Sequence, residues 1–198
     1  MKLPARNRVG IVLTLAVAVL LLLPGAAVSA PGGEAAWTVA EVEFLGEVTI
    51  PTGTVFAGTE IGGLSSITFD PGRSVYHVVS DDQGNRPTAD PVRYYSVEID
   101  LTNGILEADG LSFVDVSTLY EDKKTAFAPG GLDPEGFALA REGFFYFSSE
   151  GNIFADPIID PFIRRYNTQG RMTADLPIPG KYLPNGTDWG VRFNLGFE

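Results

Sequence analysis

A small set of oxygen-bearing side chains recurs at matched spacings. Glu135 lies three residues after Leu132, and Glu198 three after Leu195. Glu150 and Asp82 each follow a leucine, Leu132 and Leu64, by 18 residues. Carboxylates that hold the same place in successive repeats converge when the repeats stand around an axis. Such a set suits a hard cation such as Ca²⁺, which takes about six to eight oxygen ligands. Asn152 and Asn194 add amide oxygens, so the expected ligands are Glu135, Glu150, Glu198, Asn152, Asn194 and Asp82. The alternative is that these acids cap turns or accept backbone N–H bonds at strand ends. One departure breaks the symmetry: the first copy has Ile67 where the others have Glu135 and Glu198.

A cation would also reconcile an acidic site with an anionic substrate. Bare carboxylates repel phosphate, whereas a bound cation attracts it, polarises the P–O bond and lowers the pKa of bound water. Arg164 and Arg165 are then the expected substrate-binding residues, with Arg93 as a third candidate, because a guanidinium holds phosphate oxygens as a two-pronged fork. The alternative for all three is strand-surface charge with a partly buried stem.

Other chemistries have less to build on. The chain has no Cys and a single His, His77. Thiolate metal sites, Cys nucleophiles and His-pair zinc motifs are excluded. His77 sits in Val75-Tyr76-His77-Val78-Val79, where alternation places it opposite Tyr76 and Val78. It reads as a general base or, more simply, as a hydrogen-bonded strand residue. Ser65, Ser66, Ser148 and Ser149 lie near the supposed rim, but none occupies a Gly-x-Ser-x-Gly elbow. Asn185-Gly186-Thr187 fits a glycosylation acceptor pattern and reads here as a turn. A net charge of −11 argues against nucleic acid, whose phosphates need a basic face.

The elements that must position these residues are strands. With 44% apolar residues, 23 Gly and 14 Pro in 198, the chain can bury a core and makes many turns. Hairpins are expected at Ser66 to Val79 around Asp70-Pro71-Gly72-Arg73, at Phe137 to Phe147 around Arg141-Glu142-Gly143, and at Ile163 to Leu176 around Thr168-Gln169-Gly170. Arg93 to Ile99 and Leu111 to Val116 are single strands. Val39 to Ile50 reads as one strand or two, and Glu121 to Thr125 as a helical turn. Leu64, Leu132 and Leu195 recur at separations of 68 and 63 residues. Each repeat holds about four strands, which is a propeller blade. The expected fold is therefore all-β: a β-propeller-like arc of antiparallel blades, incomplete, with about two blades plus the first strand of a third. The rest of such a ring would come from missing C-terminal blades of the same protein, and the chain alone is expected to be inactive.

Residues 1–30 read as a signal peptide. Lys2, Arg6 and Arg8 precede the uncharged run Val9 to Leu23, and Val28-Ser29-Ala30 offers small residues for cleavage. The run is short for a span of about 20 residues, so no stable membrane span is expected after cleavage, and the protein is expected outside the cell or in its envelope. Residues 31–36 are a flexible lead, and 37–198 the propeller domain. Removing residues 1–30 takes away three basic and no acidic side chains, leaving 11 basic against 25 acidic.

Gly131-Leu132-Asp133-Pro134-Glu135-Gly136, Ser149-Glu150-Gly151-Asn152 and Asn194-Leu195-Gly196-Phe197-Glu198 together resemble hallmark segments of the phytase-like family, "esterase-like activity of phytase". Pro161-Phe162-Ile163-Arg164-Arg165-Tyr166, Phe44-Leu45-Gly46 and Gly62-Gly63-Leu64-Ser65 also fit. The resemblance covers about residues 42–198. It implies an exported bacterial β-propeller with a hydrolase role on a small-molecule ester or phosphoester. Three functions stay open: a metal-assisted ester hydrolase, phosphoesters preferred; a non-enzymatic ligand- or partner-binding propeller with structural Ca²⁺; and a lactonase-like Ca²⁺-dependent hydrolase.

Overall fold

The computed structural model describes residues 41–122, 125–184, 190–192 and 195–197. The chain divides into Met1–Val42 and Glu43–Glu198. Only Glu41 and Val42 of the first unit are described; residues 1–40, which include the expected signal peptide and lead, and Asn185-Gly186-Thr187, Asn194 and Glu198 lie outside the described residues.

The second unit carries two four-stranded antiparallel sheets. A short hairpin, β1 (Val55–Phe56) with β2 (Thr59–Glu60), precedes them. The first blade runs in chain order through β3 (Leu64–Asp70), β4 (Val75–Ser80), β5 (Arg93–Ile99) and β6 (Leu111–Thr118). The second runs through β7 (Pro134–Leu139), β8 (Phe145–Ser149), β9 (Phe162–Tyr166) and β10 (Met172–Leu176). Both sheets are open. Among the described residues there is no α-helix, and one 3₁₀ turn, Gly180–Tyr182, follows β10. The architecture is an arc of propeller blades.

The period-2 pattern explains how the blades stack. On β4 and β5, His77, Val79 and Tyr94 point to the second blade, and Tyr76, Val78, Tyr95 and Val97 to the opposite side. The first set packs with Leu119, Leu132, Phe137, Phe145, Phe147 and Tyr166. Phe137 and Phe147 stack at 4.3 Å between ring centroids, and Tyr94 meets Phe137 edge-on at 5.4 Å. Aromatic pairs of this kind add about 0.5–1.5 kcal/mol each beyond area burial. The main core is thus the seam between blades. The second set packs with Ile61, Ile50 and Phe56, so the β1–β2 hairpin shields the other face of the first blade.

The inner strands are joined by hydroxyls. Phe137 N–H donates to Ser66 Oγ at 3.2 Å, and Leu139 N–H to Thr68 Oγ1 at 3.3 Å. Strand β7 is the edge of its sheet, and these bonds satisfy amides that an edge would otherwise leave unpaired. They also align β3 with β7, so the open ends of both hairpins fall on one rim.

Two local expectations are corrected. Residues 41–50 form no strand: Leu106 N–H donates to Leu45 O, while Gly46, at φ +140°, turns the backbone against the Leu106 carbonyl. Glu121 to Thr125 is no helical turn. Its bond runs from Glu121 N–H to Thr125 O, the reverse of a helix, and Asp122 captures the Thr125 N–H and hydroxyl.

Candidate functional site

Strand ends build the rim. In the second blade Pro134 pairs with Ser149, and the tight turn closed by Gly143 N–H on Ala140 O lies at the far end. Glu135 and Glu150 therefore sit at the same, open end of their hairpin. Asp81 and Asp82 leave β4 at the corresponding end of the first blade.

The backbone bonds revise which residues correspond. Asp81 N–H donates to Gly63 O at 2.7 Å, and Glu150 N–H to Asp133 O at 3.2 Å. Ser80 Oγ accepts the Asp82 N–H, and Ser149 Oγ accepts the Gly151 N–H, each at 3.3 Å. Ser80-Asp81 thus matches Ser149-Glu150, and the counterpart of Glu150 is Asp81, not Asp82. Counting from the leucines misses this because the leucines do not correspond: Leu64 pairs with Ser80, and it is Pro134, not Leu132, that pairs with Ser149. The repeated Ser-acid pair was the sequence signal for the right alignment. The same register makes Phe162, not Arg164, the counterpart of Arg93.

Asp82 is spoken for. Arg93 Nη1 and Nη2 both donate to its Oδ2 at 3.1 Å, and both side chains are buried, 1% and 3% exposed. Gly84 N–H donates to Oδ1. Arg93 Nε donates to Tyr95 OH at 2.6 Å and Nη2 to Glu60 O, while Asp90 Oδ2 lies 3.8 Å away and accepts the Glu60 N–H. Burial alone would lower the Arg93 pKa, but its bonds to Tyr95 and Asp82 outweigh that and raise it. This network ties the β1–β2 hairpin to the first blade. Above it, half-exposed Arg86 faces Asp81 at 3.6 Å and Asp82 at 3.8 Å. Sequence reasoning did not single out Arg86 or Asp90, because nothing in their spacing links them to Asp82. Asp81 lies against Gly63, whose φ is +55° and whose Cβ, if present, would fall 1.6 Å from Asp81 Oδ1.

The second-blade acids have different surroundings. Glu150 is buried, and its Oε1 accepts the Gly196 N–H at 3.2 Å. Ser148 Oγ accepts from Gly136 N–H and donates to Phe197 O, so residues 196–197 lie against the end of β8. Glu135 lines a groove of about 410 Å³ with Ser65, Ser66, Tyr146 and Ser148. Asn152 Oδ1 accepts the Phe154 N–H, closing a loop beside Glu150. Among the described residues, no three Asp, Glu or His side chains are grouped to hold a metal ion.

The two arginines of β9 stand in mid-strand, away from the rim. Arg164 Nε bonds Asp175 and its guanidinium stacks 3.8 Å over Phe162. Arg165 Nε donates to Thr173 Oγ1 and stacks over Phe144. His77 is fully buried in the seam, its Nδ1 3.0 Å from Ser96 Oγ and its Nε2 3.5 Å from Asp70 Oδ2. Burial, only partly offset by Asp70, lowers its pKa.

No curated protein matches this chain in sequence. A family model does, over residues 59–198, which takes in β2, both blades, the rim acids Asp81, Asp82, Glu135 and Glu150, and the Arg93 network. With both blades, the rim and the segments at 131–136, 149–152 and 194–198 inside that span, the chain belongs to the phytase-like family, esterase-like activity of phytase.

Proposed function

We propose that the protein is an exported propeller hydrolase acting on ester bonds, phosphoesters preferred, with its reacting groups on the rim where β3, β4, β7 and β8 open. The observation that carries this reading is the groove of about 410 Å³ that opens beside the inner strands at Glu135. A carboxylate flanked by the Tyr146 phenol and the Ser65 hydroxyl can orient an attacking water or move a proton at the ester. Export rests on residues 1–30, with cleavage after Ala30.

Calcium belongs to this proposal with a narrowed ligand set. Asp82 Oδ2 already accepts two bonds from Arg93, and Asn152 Oδ1 accepts a backbone N–H. The described residues alone do not form a calcium cage. Glu135 and Glu150 would need Glu198 and Asn194, which lie outside the described residues. When bound, Ca²⁺ would supply a positive centre for an anionic ester. The protein residues would orient the ester and handle its protons. The Asp82–Arg93 lock favours a second reading, a binding propeller in which the first-blade acids are structural.

Hydrolysis of p-nitrophenyl phosphate and p-nitrophenyl acetate by the full-length propeller, with Ca²⁺ or with a chelator, decides between them. Glu135→Gln is expected to lower turnover by about 10²-fold or more, the scale of acid–base catalysis, while Glu142→Gln in the exposed far turn leaves it unchanged. Equal effects of the two would remove Glu135 from the chemistry. No turnover of either ester would remove the enzyme reading.

A further inference from the structure

The inner strand of the second blade breaks its own alternation beside the groove. Pro134 pairs with Ser149 and Phe137 with Phe147, so Glu135 and Gly136 together face Ser148 alone. This is a β-bulge, a device that re-aims a side chain. The inner strand of the first blade slips at the same end: Leu64 pairs with Ser80 and Ser66 with Val79, which leaves Ser65 opposite no residue. Ser65 and Glu135 are both walls of the groove.

The bulge decides which way Glu135 points. Phe137, Phe145 and Phe147 lie in the apolar seam, while Tyr146 and Ser148 alternate with the β8 rings and line the groove. Strict alternation counted back from Phe137 would turn Gly136 to the groove and Glu135 into the seam. The extra residue reverses that, and Glu135 lines the groove. A carboxylate in the seam would be costly, because it would lose its water among phenyl rings.

A bulge also takes an amide out of the regular ladder. Gly136 N–H donates to Ser148 Oγ at 2.8 Å, and Asp133 N–H, on the other side of Pro134, donates to Ser149 Oγ at 3.2 Å. Ser148 is buried, and its hydroxyl has one proton to give. That proton goes to Phe197 O at 3.1 Å, which leaves the lone pairs for Gly136. Gly196 sits so close that a Cβ would fall 2.7 Å from Glu150 Cα.

We propose that Ser148 is the positioning residue of the rim site: its hydroxyl holds the bulge that aims Glu135 into the groove, and the Phe197 carbonyl orients that hydroxyl. The catalytic consequence rests on the hydrolase role of Glu135; the effect on the direction of Glu135 does not. The test compares Ser148→Ala with Ser148→Thr in the full-length propeller. On whichever p-nitrophenyl ester the unaltered protein turns over, Ser148→Ala is expected to lower kcat by about tenfold or more, within the ~10²-fold that a misplaced group can cost, while KM stays the same. Ser148→Thr keeps the hydroxyl and should restore most of the rate. Two readouts need no substrate. In Ser148→Ala the Gly136 amide should exchange faster, and the Glu135 carboxyl, followed by carbon NMR, should titrate with a different midpoint. Gly196→Ala, which pushes the Phe197 carbonyl away without altering a groove wall, should also speed Gly136 exchange. If the unaltered protein hydrolyses neither ester, the hydrolase reading falls and the two NMR readouts alone decide the positioning. Unchanged Gly136 exchange and Glu135 titration in Ser148→Ala would overturn the proposal. So would a Ser148→Thr variant that protects the Gly136 amide yet is as slow as Ser148→Ala.

Discussion

The two blades present acids at the same strand end and put them to different use. In the first, Arg93 opens β5 and takes Asp82 into a buried pair, with Asp90, Tyr95 and the Glu60 carbonyl around it. In the second, Phe162 opens β9 at the matching place, and Glu150 bonds the Gly196 backbone instead. The lock needs both members, and the second blade has neither: Gly151 stands at the place of Asp82 and Phe162 at the place of Arg93. A buried carboxylate beside a guanidinium is held by charge and geometry and is poorly placed to exchange partners. Glu150 accepts a backbone N–H from Gly196, a bond that leaves it outside any such buried arginine pair with the head of β9. The comparison directs the search for chemistry to the second blade, Glu135 and Glu150, rather than to Asp82.

The largest expected effect breaks the first blade's lock. Arg93→Ala leaves Asp82 buried without its cation, which should cost about 3–5 kcal/mol in urea unfolding. Arg93→Met combined with Asp82→Leu should recover most of that loss, since an apolar pair of similar volume often replaces a buried ion pair at little cost. If the double variant is as unstable as the single one, the pair does more than neutralise its own charge.

Next comes the corner that holds Asp81. Gly63→Ala forces a side chain into a positive φ and onto Asp81 Oδ1. A loss of about 1–3 kcal/mol is expected from the backbone strain alone. A smaller loss in Gly63→Ala combined with Asp81→Ala would show that the carboxylate is what the missing Cβ makes room for. Gly104→Ala is the control for positive φ without close approach, because nothing lies within 4 Å of its would-be Cβ.

The hydroxyl links between inner strands should be worth less. Ser66→Ala and Thr68→Ala each remove one acceptor from a β7 amide, for about 1 kcal/mol apiece. Amide hydrogen exchange at Phe137 and Leu139 should accelerate in the matching variant. Unchanged exchange would mean that other groups protect that edge.

The smallest effect concerns pH. His77 is held below its ordinary value of 6.5 by burial in the seam. The unfolded chain therefore takes up a proton there more readily than the folded one. The stability contributed by a neutral His77 is complete above pH 6.5 and is lost as the pH falls from there through the folded value. His77→Gln should remove that slope while leaving the acid limb set by the carboxylates. An identical pH profile in the variant would show that His77 does not titrate on unfolding.

The eight blade strands were legible because each is a run of apolar and aromatic residues bounded by Gly, Asp, Asn or Pro turns. Val75–Ser80 and Phe145–Ser149 are examples. Their repetition spoke for blades before any contact was known. The β1–β2 hairpin was not legible: two-residue strands carry no periodicity, and this one is held by the Arg93, Tyr95 and Asp90 bonds. Turn chemistry likewise placed Glu135 and Glu150 at one end of a hairpin, since a reversal at residues 140–144 allows nothing else. Pairing between distant positions was another matter. Asp82 and Arg93 are 11 residues apart, and only the β4–β5 register brings them face to face. Arg164 looked like a rim cation from its neighbours in sequence, yet the β9–β10 register sets it opposite Asp175. Local pattern determines which segments are strands and where they turn, because alternation and turn propensity act within a few residues. Which charges meet depends on register, turn length and blade packing, and those are properties of the folded sheets.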